Sequence, residues 1–327
     1  MPSVLSQFAM NRVPLHFAAI DIGSNAARLL LANVFEDEGN GAWTSRKASL
    51  LRMPVRLGDD VFLTGRISDR KASKLTNTIM GFKYLIDAFE PQAVMACATS
   101  AMREAENGMR LCDEIFEKSG IRIQVIEGKR EAEIILENRR REIIGDDENV
   151  LFIDVGGGST EITILSGGKI VDSRSFNIGS IRLANGLVRQ EDWQRMKRWL
   201  KETASGHGPL SSIGSGGNIK AIFGLSNTPF GKPISRKKIR EMRDFLKWFT
   251  PEELVAKLGL KPDRADVIAP ASDIYINAMK WAGAKKMHVP MLGLADGMIH
   301  VMYKDYKHGT EKEIEKEETV RDSSLSR

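Results

Sequence analysis

Residues 152–165 read FIDVGGGSTEITIL: an apolar run closing on Asp154, three glycines, two hydroxyls, Glu161 and a second apolar run. Residues 16–35, HFAAIDIGSNAARLLLANVF, repeat that design with Asp21 in the place of Asp154. The two acids stand about one domain length apart, the spacing of a duplicated domain and too long for a solenoid period. The run ITIL after the glycines is β-branched and favours a strand, whereas nucleotide-binding glycine loops lead into a helix. The glycines are therefore expected to join two antiparallel strands. There they allow positive φ and let an anion approach the backbone N–H groups.

Elsewhere the pattern alternates between short apolar strands and amphipathic helices. In AVMACATSAMREAEN (93–107) a strand stops where Thr99 and Ser100 can cap a helix carrying Arg103 and Glu104. IRIQVIEG (121–128) reads as a strand running into the helix KREAEIILENRRREII, which bears Glu131. A third glycine cluster, LSSIGSGGNIKAIFGL (210–225), does lead into a helix, whose N-terminus suits a phosphate. Helical spacing recurs in 67–89 (Leu75, Ile79, Phe82, Leu85, Ile86) and in 235–249 (Ile239, Met242, Phe245, Leu246, Phe249). Segment 266–283 is apolar enough for a buried helix. A strand-rich start followed by strand–helix alternation in each half makes the fold class α/β.

Several of these features have plain structural readings. Glu127, Glu131, Glu133 and Glu137 space as a solvated helix face, and Arg103 suits an ion pair as well as a phosphate. The basic helix Lys232–Arg243 reads as a solvated face, and Trp193 with Trp199 as core packing. Any one glycine cluster is an ordinary turn. Two Asp-x-Gly turns at matching points, plus GSGG, converge on a polyphosphate clamp, with Ser159 and Thr160 adding hydroxyl donors and Asp154 able to hold a divalent cation.

Composition narrows the class. The 327 residues are 42% hydrophobic and 28% charged with a net charge of +5, ordinary for a globular chain of two domains and mildly favourable to anionic partners. No apolar run approaches a membrane span. The N-terminal MPSVLSQFAMNRVPLHF lacks a basic start before a clean apolar core, so no signal peptide is expected. Cys97 and Cys112 read as reduced and cytoplasmic, and the five scattered histidines offer no zinc spacing. The charged run after Tyr306 (307–327) is expected to be a disordered tail.

Taken in order, AIDIGSNAARLL, VRLGDDVFLTGRIS, ATSAMREAEN, EGKREAEII, FIDVGGGSTEI, FNIGSIRL, IGSGGNIKAI and DRADVIAPA resemble the Ppx/GppA family of exopolyphosphatases and guanosine pentaphosphate phosphohydrolases. The resemblance spans roughly Ala18 to Tyr303. It implies a duplicated actin-like ATPase (ribonuclease H-like) fold with an interdomain cleft. The domains would be 15–133 and 134–305, with the helix near 296–308 folding back on the first. It implies Glu131 as the base that activates water and Asp154 and Glu161 as ligands of Mg²⁺ or Mn²⁺. Phosphate would be bound by Ser24, Asn25, Arg103, Gly156, Gly157, Gly158, Ser159, Gly216 and Gly217. The implied reaction releases terminal phosphate from polyphosphate or pppGpp in a cytoplasmic homodimer, with no nucleic acid or membrane partner. A phosphotransferase on the same fold and a non-catalytic sensor of these anions are the competing readings.

Three departures stand out. Where the family shows Ser-Gly-x-Glu-Glu-Ala, this chain has Glu127-Gly128-Lys129-Arg130-Glu131-Ala132. Where it shows Arg-Glu-Gly, this chain has Ala295-Asp296-Gly297. Longer members add a C-terminal helical domain of the HD type that this sequence stops short of, which leaves short chains or pppGpp open as substrates.

Overall fold

The computed structural model describes residues 13–36, 42–137, 149–167, 169–208 and 210–325. The first sheet holds β1 (Leu15–Ile22), β2 (Ala27–Glu36), β3 (Trp43–Met53), β4 (Ala93–Ala98) and β5 (Ile123–Val125), in the order β3-β2-β1-β4-β5. The second holds β6 (Val150–Val155), β7 (Thr160–Ser166), β8 (Lys169–Phe176), β9 (Ser211–Ser215), β10 (Ile234–Ser235) and β11 (Lys286–His288), in the order β10-β11-β9-β6-β7-β8. Each begins as an antiparallel meander, β1-β2-β3 and β6-β7-β8, and then adds parallel strands on the side of its first strand. The two glycine turns are the first hairpins of the two meanders, as the β-branched runs predict. The second sheet carries one extra edge strand, β10, antiparallel to β11.

Burial explains why β1 and β6 read as unbroken apolar runs: both faces are covered. Ala18, Ile20 and Ile22 belong to a core beneath helices Asp69–Phe89 and Gly108–Ser119. Phe17 and Ala19, on the opposite face, join a core shared between the lobes. That shared core collects Ile134 and Ile135 of helix Gly128–Glu137, Phe152 of β6 and Met298, Ile299 and Met302 of helix Leu294–Leu325. Two helices therefore lie between the sheets, and the last helix, which follows the second sheet in sequence, rests on β1 and β2 of the first. The outer face of the second sheet is covered by helix Gln190–Ala204 and helix Ile268–Trp281, whose Tyr275 is fully buried.

Some expectations change. The strand of 121–128 shrinks to three residues, because Ile126 already turns its N–H to Ala98 before the helix starts. The helix that follows is described to Glu137, and 138–144 lie outside the described residues, as does most of the N-terminal segment weighed against a signal peptide. Thr99 precedes helix Ser100–Glu104 but its hydroxyl makes no cap hydrogen bond. Leu85, at the margin of its helical stripe, is 40% exposed. Beyond Tyr306 the backbone stays helical to Leu325, where the charge pattern predicts a disordered tail. Glu and Lys have high intrinsic helix propensity, and here the run continues a helix already nucleated. Both cysteines are free and buried. Among the described residues no helix is long and apolar enough to cross a membrane.

Met298 is fully buried where the lobes meet. Met298→Ala is expected to cost about 2–5 kcal/mol, against at most about 0.5 kcal/mol for Tyr84→Ala on the open face of helix Asp69–Phe89. Urea unfolding of the two variants checks the difference.

Candidate functional site

The two hairpins place their acids in register. In the first, Asp21 pairs across the strands with Arg28, and the side chains form an ion pair at 2.5 Å. In the second, the equivalent pair is Asp154 with Glu161. Like charges directly opposite each other destabilise a sheet, and these two are buried, 7% and 2% exposed. A third acid joins them. Helix Gly128–Glu137 starts against the second hairpin, close enough that a Cβ on Gly128 would lie 3.0 Å from Glu161 Oε1. Glycine at that position lets the helix bring Glu131 inward. Ligand oxygens of Glu131, Asp154 and Glu161 all lie within 4.8 Å of one another.

The spacing of the acidic run suggests a solvated face, but only part of it is solvated. Glu127 is 80% exposed, whereas Glu131 is 9% exposed. Burial, then the charges of Glu161 and Asp154, push the Glu131 carboxyl well above the usual range. Burial and Asp154 push Glu161 up to about 7, against hydrogen bonds from Ser159 Oγ (2.6 Å) and Ser175 Oγ (2.9 Å) to its Oε1. Burial likewise raises Asp154, opposed by a Ser215 hydrogen bond and by Lys220. Asp154 Oδ1 is buried without a hydrogen-bond partner. A compact set of hard oxygen donors with one orphaned oxygen fits a divalent cation such as Mg²⁺ or Mn²⁺.

These acids line one side of a cleft of about 350 Å³ between the lobes. Ser24, Asn25, Gly156, Gly157, Ser159, Gly216 and Gly217 also line it. The Gly156–Ser159 turn is fixed from behind: its carbonyls accept from the backbone N–H groups of Ser180 (2.9 Å) and Ile181 (2.9 Å) and from Arg182 Nε (2.8 Å). Arg182 also stacks on Phe62 and reaches Glu104 in the first lobe. Ser24 Oγ shares a hydrogen bond with Ser100 Oγ at 2.9 Å. Asn25 Nδ2 donates across the cleft to the Asp263 carbonyl at 2.7 Å.

Two motif residues fall outside the cleft wall. Gly158 turns toward Phe62 and Ser100. Arg103 donates to the Ile126 carbonyl at 2.6 Å and faces Glu127 at 3.6 Å. Glu127, one of the departures from the family pattern, thus gives Arg103 a local counter-charge. Even so, Arg103 lies near enough to oppose the rise of Glu131.

The motif reading did not include the cations that line the same cleft. Arg28, Lys47, Arg52, Lys220, Lys261 and Arg264 line the cleft. Arg28, Arg52 and Lys47 are paired with Asp21, Asp263 and Asp296. Lys220, Lys261 and Arg264 have no ion pair among the described residues. Burial lowers Lys220 to about 8, and burial with Arg52 and Arg28 lowers Arg264 to about 10. The sequence signal was present in IGSGGNIK and DRAD, but an isolated Lys or Arg after a glycine turn looks like any surface charge.

Comparison with known proteins follows the same lines. A model of the Ppx/GppA phosphatase family matches residues 48–305. Exopolyphosphatase 1 of Mycobacterium tuberculosis is 30% identical over 305 residues, covering 87% of each chain. A bifunctional 3-dehydroquinate synthase/phosphatase of Fusobacterium nucleatum is 27% identical over 296 residues, 81% of this chain and 43% of that protein. This chain therefore spans under half the length of one of these relatives and most of the other. An exopolyphosphatase structure from Cytophaga hutchinsonii superposes with a TM-score of 0.73 at 23% identity, covering 89% of this chain and 98% of that one. A Ppx/GppA family member from Aquifex aeolicus gives 0.69 at 23%, covering 90% and 99%. The fold is the duplicated actin-like one.

The acid cluster makes stability depend on pH. Glu161 holds its proton more tightly folded than unfolded, since its folded value of about 7 lies above the ordinary carboxylate range. In metal-free protein the Glu161 contribution to stability is therefore fully present at acidic pH and is lost as pH rises through about 7. Excess Mg²⁺ is expected to offset the loss, and Glu161→Gln to flatten the slope. Urea unfolding from pH 5 to pH 8, with EDTA or Mg²⁺, checks both, and a slope indifferent to Mg²⁺ would count against a cation at this cluster.

Proposed function

The chain belongs to the Ppx/GppA phosphatase family, and from that premise we propose that it hydrolyses the terminal phosphoanhydride bond of a polyphosphate, with Glu131 as general base. One observation supports this above the others: three buried carboxylates converge in a cleft that is also lined by cations without an ion pair.

The chemistry follows from the charges. A polyphosphate chain is a dense anion, and hydrolysis needs its charge balanced, its end held and one water aligned for in-line attack. The N–H groups of Gly157 and Ser159 and of Gly216-Gly217 suit the terminal phosphoryl oxygens, the Gly156 N–H being engaged by the Ser159 carbonyl, while Lys220 and Arg264 suit the phosphates behind it. A divalent cation held by Asp154 and Glu161 would supply Lewis-acid neutralisation of phosphoryl charge. Glu131, with its carboxyl raised by burial and by its neighbours, takes the proton of the attacking water. A new P–O bond forms to that oxygen as the bridging P–O bond breaks, and the shortened chain leaves as an anion. The reading takes 15–133 and 134–305 as the two domains. It extends to pppGpp as a second substrate, to Mg²⁺ or Mn²⁺ as the metal and to a cytoplasmic homodimer.

Phosphate release from short polyphosphate, long polyphosphate, pppGpp and ATP tests the proposal. Glu131→Gln is expected to lower turnover about 10²–10⁴-fold with KM nearly unchanged, and EDTA to abolish release. Arg264→Ala and Lys220→Ala are expected to raise KM by about 10-fold each, the scale of one charge-assisted contact. Wild-type protein that binds these anions but releases no phosphate at any Mg²⁺ or Mn²⁺ concentration would leave the sensor reading in place of the enzyme.

A further inference from the structure

Three cleft cations, Lys220, Lys261 and Arg264, have no ion pair among the described residues, and Lys220 and Arg264 stand on unequal supports. Lys220 belongs to the nine-residue helix Gly217–Leu225. Arg264 belongs to the four-residue helix Pro262–Ala265, too short to be held by its own hydrogen bonds. Its Ala265 packs into the second lobe's core, and the first lobe holds its other side. Both terminal nitrogens of Arg52, on β3, donate to the two carboxylate oxygens of Asp263, the residue before Arg264. The paired side chains are 10% and 6% exposed. Asn25 of the first hairpin binds the Asp263 carbonyl, and Arg56 reaches Asp266 with both terminal nitrogens. Three first-lobe side chains thus grip one turn of the second lobe. Next to that grip, the Arg264 guanidinium lies on Gly217, where a Cβ would come within 2.6 Å of Nη2.

We propose that the Arg52–Asp263 pair is a positioning clamp: it ties the turn Pro262–Ala265 to the first lobe, aims Arg264 into the cleft, and makes that arginine available to substrate phosphate only while the lobes are closed. The inference rests on reading the cleft as a polyphosphate site. Arg52 also lines the cleft, but its two terminal nitrogens are engaged by Asp263, whereas Arg264 forms no ion pair among the described residues and feels Asp263 only at longer range. Separating the lobes would part Arg52 from Asp263 and release the turn.

Tripolyphosphate binding by calorimetry with Mg²⁺ present, every protein also carrying Glu131→Gln to suppress turnover, tests the clamp with the other residues wild type, in Arg264→Ala, in Asp263→Asn and in the double variant. Each single change is expected to weaken binding about 10-fold, and the double variant to bind no worse than either. Asp263→Asn leaves Arg52 buried without a counter-charge. Arg52→Lys, which keeps the charge but loses the planar fork, therefore runs the same cycle and is expected to show the same non-additivity. In turnover, Asp263→Asn and Arg52→Lys should raise KM with kcat nearly unchanged, and Asp263→Glu should recover part of the affinity. Losses that multiply in the double variants overturn the clamp, since Arg52 or Asp263 would then act independently of Arg264. Wild-type affinity in Asp263→Asn and Arg52→Lys, with Arg264→Ala weakened, also overturns it while leaving the cleft reading intact. Wild-type affinity in Arg264→Ala, or no binding by wild type, overturns both.

Discussion

Three carboxylates buried within reach of one another are the constraint around which this molecule is organised. Glu131, Asp154 and Glu161 arrive from a helix and two strands, and the fold holds them together despite mutual repulsion and lost hydration. An apolar scaffold that is stable for other reasons has to absorb that cost. The shared core between the lobes provides it, since Ile134 and Ile135 anchor the helix that carries Glu131, and Phe152 anchors the strand that carries Asp154. The acids remain costly until a cation or protons balance them, which is how the site selects its occupants.

The duplication clarifies how such a site arises. Both lobes use the same hairpin with an acid at the same place, yet the cross-strand partner differs: Arg28 in the first, Glu161 in the second. The Asp21–Arg28 pair is internally neutral, so the first hairpin can support the cleft without needing a ligand. The second is left with charge to be compensated from outside. A single change of sign at one register position separates a self-neutralised turn from one that carries excess charge.

Much of this was legible in the sequence, and the boundary of legibility is physical. The repeated Asp-x-Gly pattern gave the two hairpins because continuous apolar runs and β-branching act locally. Glu131 was legible through its resemblance to a family motif, while spacing alone pointed the other way, because burial of one acid among several depends on the partner sheet. Strands β3 and β8 stayed hidden, since edge strands exposed to solvent carry polar residues with no apolar alternation. Arg52, Lys220 and Arg264 were invisible as a group: they are distant in sequence, and only the closing of two lobes makes them neighbours. Arg103 was legible as a motif residue, but its counter-charge Glu127 became apparent only once the backbone placed the two side by side.

The last helix has a mechanical consequence. The chain leaves the first lobe after Glu137, enters the second at Val150, and returns over Pro290 into helix Leu294–Leu325, which rests on β1 and β2. The lobes are thus joined by two covalent crossings, and two crossings define an axis where one would define a pivot. Relative motion is reduced to a swing about the line through both, like a door on two pins. A swing of that kind would be resisted by the buried Arg52–Asp263 pair that joins the lobes, so the bond across the cleft, and not the covalent chain, sets how freely the cleft opens.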